Sequence, residues 1–355
     1  MDKLTRKKAL LDKIRAAEGN QFKCDENAII DAYNHQLENK SNLAIKILSI
    51  FGGFLATLAF LGFLGLLGLY NSDYALLCIG VIFISTAIGL NKIYNKLIID
   101  TLSISTYIIG FSLFAFALSM LDVNENIIAI LICFISGLSL IITQNFLLSF
   151  ISTIFISACF IFLITSNEFY DLIHAYIAIN ALLLTYVFLY EAKIISISKK
   201  LNRLYYPLRI GLVFAFLLGL IYIGKRNLVP IDQNLIWLSS IAIILITLFL
   251  ASRIIAINKL YSVKKKLMVY ILTILVLSPT ILSPSISGAI LIILLSFLVN
   301  YKTGFVIGII SIIYFISQYY YDLNFTLLTK SIILFVSGIM FLLFYFFTNR
   351  KIIKK

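Results

Sequence analysis

From Leu43 to its C-terminus the chain alternates between long apolar runs and short polar breaks. The runs are about 20 residues long, the length a helix needs to cross about 30 Å of hydrocarbon. Backbone amides and carbonyls cannot stay unpaired there, so such runs must be helices or the strands of a closed barrel. Barrel strands alternate apolar and polar positions over about 10 residues. These runs are continuous, which predicts an all-α bundle. Twelve spans follow, at 43–69, 74–90, 97–121, 127–142, 146–165, 172–190, 210–224, 235–251, 267–282, 286–300, 303–320 and 328–347. Very short turns, Thr143-Gln144-Asn145 and Ser283-Pro284-Ser285, join 127–142 to 146–165 and 267–282 to 286–300. Each of these pairs also reads as a re-entrant hairpin, which would leave the sidedness of every other span unchanged.

Residues 1–42 have a different pattern. Leu4, Leu10, Leu11 and Ile14 fall on one stripe of a helix that also carries Lys3, Arg6, Lys7, Lys8, Lys13 and Arg15. Basic amphipathic helices lie on anionic membrane surfaces. A second helix is predicted after Asp25 as N-cap, with Ala28, Ile29, Ala32, Tyr33 and Leu37 on its apolar face. The pair reads as a cytoplasmic segment packed on the inner mouth of a membrane domain at 43–347, with a partner-binding module as the alternative. Residues 348–355 form a basic cytoplasmic tail.

Composition agrees with the pattern. Apolar residues make up 61% of the chain and charged residues 13%, against roughly 25% charged in an ordinary globular domain. The net charge of +13 could serve nucleic acid, but its distribution points elsewhere. With the N-terminus inside, 26 of the 29 Lys and Arg residues lie in cytoplasmic segments, and only Lys225, Arg226 and Lys330 lie outside. That asymmetry predicts both termini in the cytoplasm and no nucleic-acid partner. The first span starts too late for a cleaved signal peptide. No two of Cys24, Cys78, Cys133 and Cys159 have CxxC spacing, so neither a zinc site nor a redox motif is expected.

Six spans precede Glu191 and six follow it. Ser136-Gly137 recurs as Ser287-Gly288, and Tyr170-Asp171-Leu172 recurs as Tyr321-Asp322-Leu323, both at an offset of 151. Both pairs keep their place in the span order, as a parallel six-plus-six repeat of 43–190 and 207–347 requires. Chance matching in low-complexity apolar sequence explains the coincidence equally well.

Polar groups inside spans are the default functional candidates. Asp100 is a proton or cation site on the sharper reading, and an interfacial carboxylate in reach of Lys96 on the plainer one. His174 is expected to contact Asp171 one turn away at the water boundary. Gln144, Asn145, Asn180 and Gln318 are expected to hydrogen-bond between helices, and Ser287 to line any midplane cavity. Glu191 lies at the inner boundary and needs no special role. Gly62, Gly65 and Gly68 in the first span suit close helix packing. There is no GxxxxGK[ST], HExxH or GxSxG motif. No catalytic set, metal site or cofactor is expected.

The Gly-rich first span, Ile50-Phe51-Gly52-Gly53-Phe54-Leu55-Ala56 and then Phe60-Leu61-Gly62-Phe63-Leu64-Gly65, follows a polar helical segment and leads a series of uncharged spans. This layout resembles an uncharacterised bacterial family of multi-pass membrane proteins, a domain of unknown function. The resemblance implies a place in the bacterial inner membrane and a second membrane protein, encoded nearby, as partner. Three functions stay open. The first is a non-enzymatic membrane component acting through protein partners. The second is a secondary transporter or lipid-handling protein, and the third a membrane-embedded lipid-modifying enzyme.

Overall fold

The computed structural model describes residues 59–68, 72–93, 97–143, 145–225, 235–257 and 262–322, with isolated positions in 52–56, 230–232 and 328–342. The amphipathic segment at 1–42, most of the first span, most of the last span, the basic tail, Cys24, Lys96 and Gln144 lie outside the described residues.

The regular elements among the described residues are all helices. They are α1 (Asp73–Ile93), α2 (Leu97–Met120), α3 (Glu125–Ile142), α4 (Phe146–Ser166), α5 (Leu172–Leu189), α6 (Glu191–Ile197), α7 (Lys199–Gly224), α8 (Ile236–Ile257), α9 (Val263–Leu277), α10 (Pro284–Leu298) and α11 (Lys302–Asp322). A 3-10 turn, Ser278–Leu282, joins α9 to α10. Eight of these helices are long and apolar enough to cross a membrane: α1 to α5, α7, α8 and α11. Helices α3 and α4 are therefore each of spanning length. Helices α9 and α10 have only 15 residues each. The largest departure from the sequence reading is α7. Its expected span at 210–224 is the second half of a helix that starts at Lys199, which moves Arg209 from a loop into the helix interior.

Helix α7 is the hub. It packs on α4, α5, α10 and α11, and Val213, Phe216 and Leu220 are completely buried. They meet Ile173, Ile177 and Leu184 of α5, Ile243 and Leu250 of α8, and Ala289, Ile292 and Leu295 of α10 in one apolar core. A second core forms around Tyr107, Phe111 and Phe114 of α2, with Ile84 of α1 and Leu148 of α4. Large apolar side chains are exposed on the outer faces, among them Phe134, Leu182, Leu245, Ile271 and Ile313, as expected where lipid replaces water.

Three helices end in the same way on non-glycine residues. Asp122, Glu168 and Asn300 adopt φ of 53°, 57° and 54°. In each case the next amide reaches back across the turn, Val123 to Leu118, Phe169 to Ile164 and Tyr301 to Ser296, at 2.8–3.0 Å. This Schellman geometry satisfies carbonyls that the helix itself leaves orphaned.

Gly62, singled out by spacing, is not a tight position. At Gly62 no heavy atom lies within 4 Å of where a Cβ would sit. A close backbone-to-backbone crossing lies between α1 and α2. A Cβ on Gly80 would stand 2.8 Å from the Phe114 amide nitrogen, and one on Gly110 would stand 2.9 Å from that of Ile84. The two Ser-Gly pairs also differ in surroundings. Ser136 and Ser287 are both buried, but Gly137 faces open space while Gly288 abuts Leu220 and Phe216.

Gly110→Ala is expected to force α1 and α2 apart and to cost about 1–3 kcal/mol. Gly89→Ala, with nothing within 4 Å of its Cβ position, should be neutral or stabilising by about 0.5–1 kcal/mol. Thermal unfolding of the two variants in detergent gives the comparison, and equal midpoints would contradict the crossing.

Candidate functional site

The expected site residues scatter. Asp100 and Asn145 do meet: the Asn145 side-chain amide donates to Asp100 Oδ1 at 2.8 Å, and Asn145 Oδ1 caps α4 through Leu147 and Leu148. Asp171 is exposed just ahead of α5 and makes no side-chain cap. His174 lies near enough to Asp171 to feel its charge, but its hydrogen bond goes elsewhere. It turns inward and its Nδ1 bonds to Ser239 Oγ of α8 at 2.7 Å, because position 174 lies on the face of α5 that packs against α8. Its Nε2 is buried without a partner among the described residues. Asn180 donates to the Tyr176 carbonyl of its own helix, and Ser287 to the Pro284 carbonyl of its own first turn. Gln318 presents a buried Oε1 with no hydrogen bond beside a cavity of about 30 Å³ that Ser283, Ser285 and Asp322 also line.

The most built polar site is one the sequence reading passed over. At the junction of α5, α6 and α7, Arg209 is 5% exposed. Its Nη1 donates to Glu191 Oε2 at 3.1 Å and to the Tyr205 hydroxyl at 3.4 Å. Tyr205 passes the chain on by donating to the Val187 carbonyl at 3.1 Å. Val187 lies in the last turn of α5, where carbonyls lack intrahelical donors. The guanidinium carbon stands 3.9 Å from the centre of the Tyr301 ring, 5.1 Å from Tyr205, 5.2 Å from Tyr206 and 5.6 Å from Phe188.

Local sequence explains the assembly. Ser198 accepts from the Leu201 amide and so starts α7. Steps of three and four residues then bring Tyr206 and Tyr205 beside Arg209. Tyr301 follows the Schellman turn that closes α10, and Gly304 leaves room for its ring: a Cβ there would stand 2.5 Å from Tyr301 Cδ1. A bare charge in such surroundings would be costly. Four features offset that cost here: an opposite charge, a hydroxyl, the negative end of α5 and aromatic faces, each worth up to about 2 kcal/mol when desolvated. The arrangement ties four chain segments together through one cation. The sequence signal was present, as a Tyr-Tyr-Pro-x-Arg cluster at helical spacing, but it is visible only once α7 is known to begin at Lys199.

Helix alternation gives the bundle two unlike ends. Exposed Lys193, Lys199, Lys200, Arg253, Lys264, Lys266 and Lys302 share the end that holds Arg209. Asp73, Asp122, Glu125, Glu168, Asp171 and Asp322 lie at the other.

Residues 42–351 match a family described as a domain of unknown function, DUF4401. The chain belongs to that family. No curated protein and no solved structure matches it. Membership and the eight long apolar helices make this DUF4401 protein an integral membrane protein.

Removing one partner of a buried ion pair costs about 3–5 kcal/mol. Glu191→Ala should fall at the lower end, because the Glu191 side chain is 29% exposed. The double variant Glu191→Gln with Arg209→Met should be more stable than Glu191→Ala, since it leaves no unpaired charge. Thermal midpoints of the purified variants would decide, with the reverse order contradicting the ion-pair account.

Proposed function

We propose that this protein is a non-enzymatic component of the bacterial inner membrane that acts through protein partners, with the Arg209 end facing the cytoplasm as its docking platform. One observation carries the reading. The deeply buried cation is spent on locking α5, α6, α7 and the α10–α11 turn together at the basic end, while the middle of the bundle is filled by apolar side chains. Ile177, Ala181, Val213, Phe216, Ile243 and Ile292 have no exposure at all. A rigid, basic rim beside a closed centre suits a surface that is read by another protein. The excess of Lys and Arg at that end also fits a cytoplasmic placement, and it favours a partner with an acidic segment.

A photo-crosslinking residue at Lys200 or Lys266 in native membranes is expected to trap one discrete membrane-protein partner. The same residue at lipid-facing Leu245 should trap lipid alone. Adducts limited to lipid at all three positions would overturn the reading.

A second reading, lipid handling, has one observation in its favour. A cleft of about 390 Å³ between α4, α5 and α7 is apolar along its walls but includes Ser157, Tyr176 and Asn180. A specific lipid retained through purification, and lost on Asn180→Leu, would favour it.

A further inference from the structure

Three helices outside the main core turn polar side chains toward one another at helical spacing. On α2 these are Asp100, Ser103 and Tyr107. Ser136 and Ser139 follow on α3, and Asn145, Ser149 and Ser152 on α4. Steps of three or four residues put each set on one face of its helix. Hydrogen bonds join the faces: Asn145 to Asp100 at 2.8 Å, Tyr107 to Ser152 at 2.9 Å and Ser139 to Ser152 at 3.2 Å. The result is a polar seam that runs inward from Asp100 to Tyr107 for about 10 Å, at 1.5 Å per residue.

The seam is not closed by its own bonds. Ser103, Ser136 and Ser149 are fully buried, and the Oγ of each has no hydrogen-bond partner. Ser136 stands beside the Tyr107 hydroxyl without completing a bond to it. Buried hydroxyls are rarely left in this state, and several together point to a bound water or ion. The chemistry narrows the choice. Every side-chain acceptor in the seam is oxygen, the donor set of hard cations. Asp100 supplies one negative charge, and its hydrogen-bond partner among the described residues is the neutral Asn145. One carboxylate among hydroxyls matches a single positive charge.

We propose that the Asp100 end of the α2–α3–α4 seam binds one small monovalent cation, held by Asp100 and by the Ser103 and Ser149 hydroxyls, each one helical turn from the Asp100–Asn145 pair. The site is separate from the Arg209 junction and independent of partner docking. Sodium is the probe.

The full chain, purified in detergent, is heated in sodium chloride and in choline chloride of equal ionic strength. Sodium is expected to raise the thermal midpoint saturably, by about 2 °C at ten times Kd. Asp100→Asn should abolish the rise, and Ser149→Ala should shift its half-point to higher sodium. Equal midpoints in the two salts would overturn the proposal, as would a rise that Asp100→Asn leaves undiminished. Radioactive sodium binding to the unaltered protein gives a second reading should Asp100→Asn not fold. Saturable binding near one ion per chain supports the site, and counts no higher than with excess cold sodium reject it.

Discussion

Inside an apolar bundle little water is at hand to complete a hydrogen bond or screen a charge. Most polar groups are closed by another part of the protein, and the position of several helices follows from that demand. Arg209 is where it presses hardest. A guanidinium with almost no exposure requires an anion, hydroxyls and ring faces within a few ångströms. Meeting that requirement fixes where α5 ends, how α6 turns away and where Tyr301 must lie. The apolar core of α5, α7, α8 and α10 then fills in behind a frame that this one group has already set.

Helix type and most helix limits were legible from the apolar runs, because a span must be long, continuous and uncharged. α2, α3, α4 and α5 fall within two residues of their expected limits. The start of α7 was not legible for the same reason. A rule that places charges outside the membrane assigns Arg209 to a loop, whereas the helix carries it inward with its aromatic neighbours. His174 was only partly legible. Its sequence neighbour Asp171 suggested a local contact, yet its partner Ser239 lies 65 residues away and becomes a neighbour only when α5 meets α8.

Asp100 and Asn145 show the opposite case. Both stood out as polar positions, but nothing in the linear order joined them, since they are separated by 45 residues. The serines between them looked like ordinary small residues of spans. Only the packing of α2, α3 and α4 turns the three sets into one seam, and only there does the lack of partners for Ser103, Ser136 and Ser149 become visible. The bundle thus keeps a dense centre around α7 and a polar interior to one side of it.

The shortness of α10 has an electrical consequence. Fifteen residues make a helix about 22 Å long, less than the roughly 30 Å of hydrocarbon that surrounds a spanning bundle. Both of its ends are met by polar groups rather than by lipid: Ser285 bonded to the Leu220 carbonyl at one end, and Tyr301 over the Arg209 cation at the other. The layer of low polarisability is therefore thinner along α10 than along its neighbour α8, which has 22 residues. A given membrane voltage drops over a shorter distance there, so the local field through the middle of the protein is steeper than the field in the lipid around it.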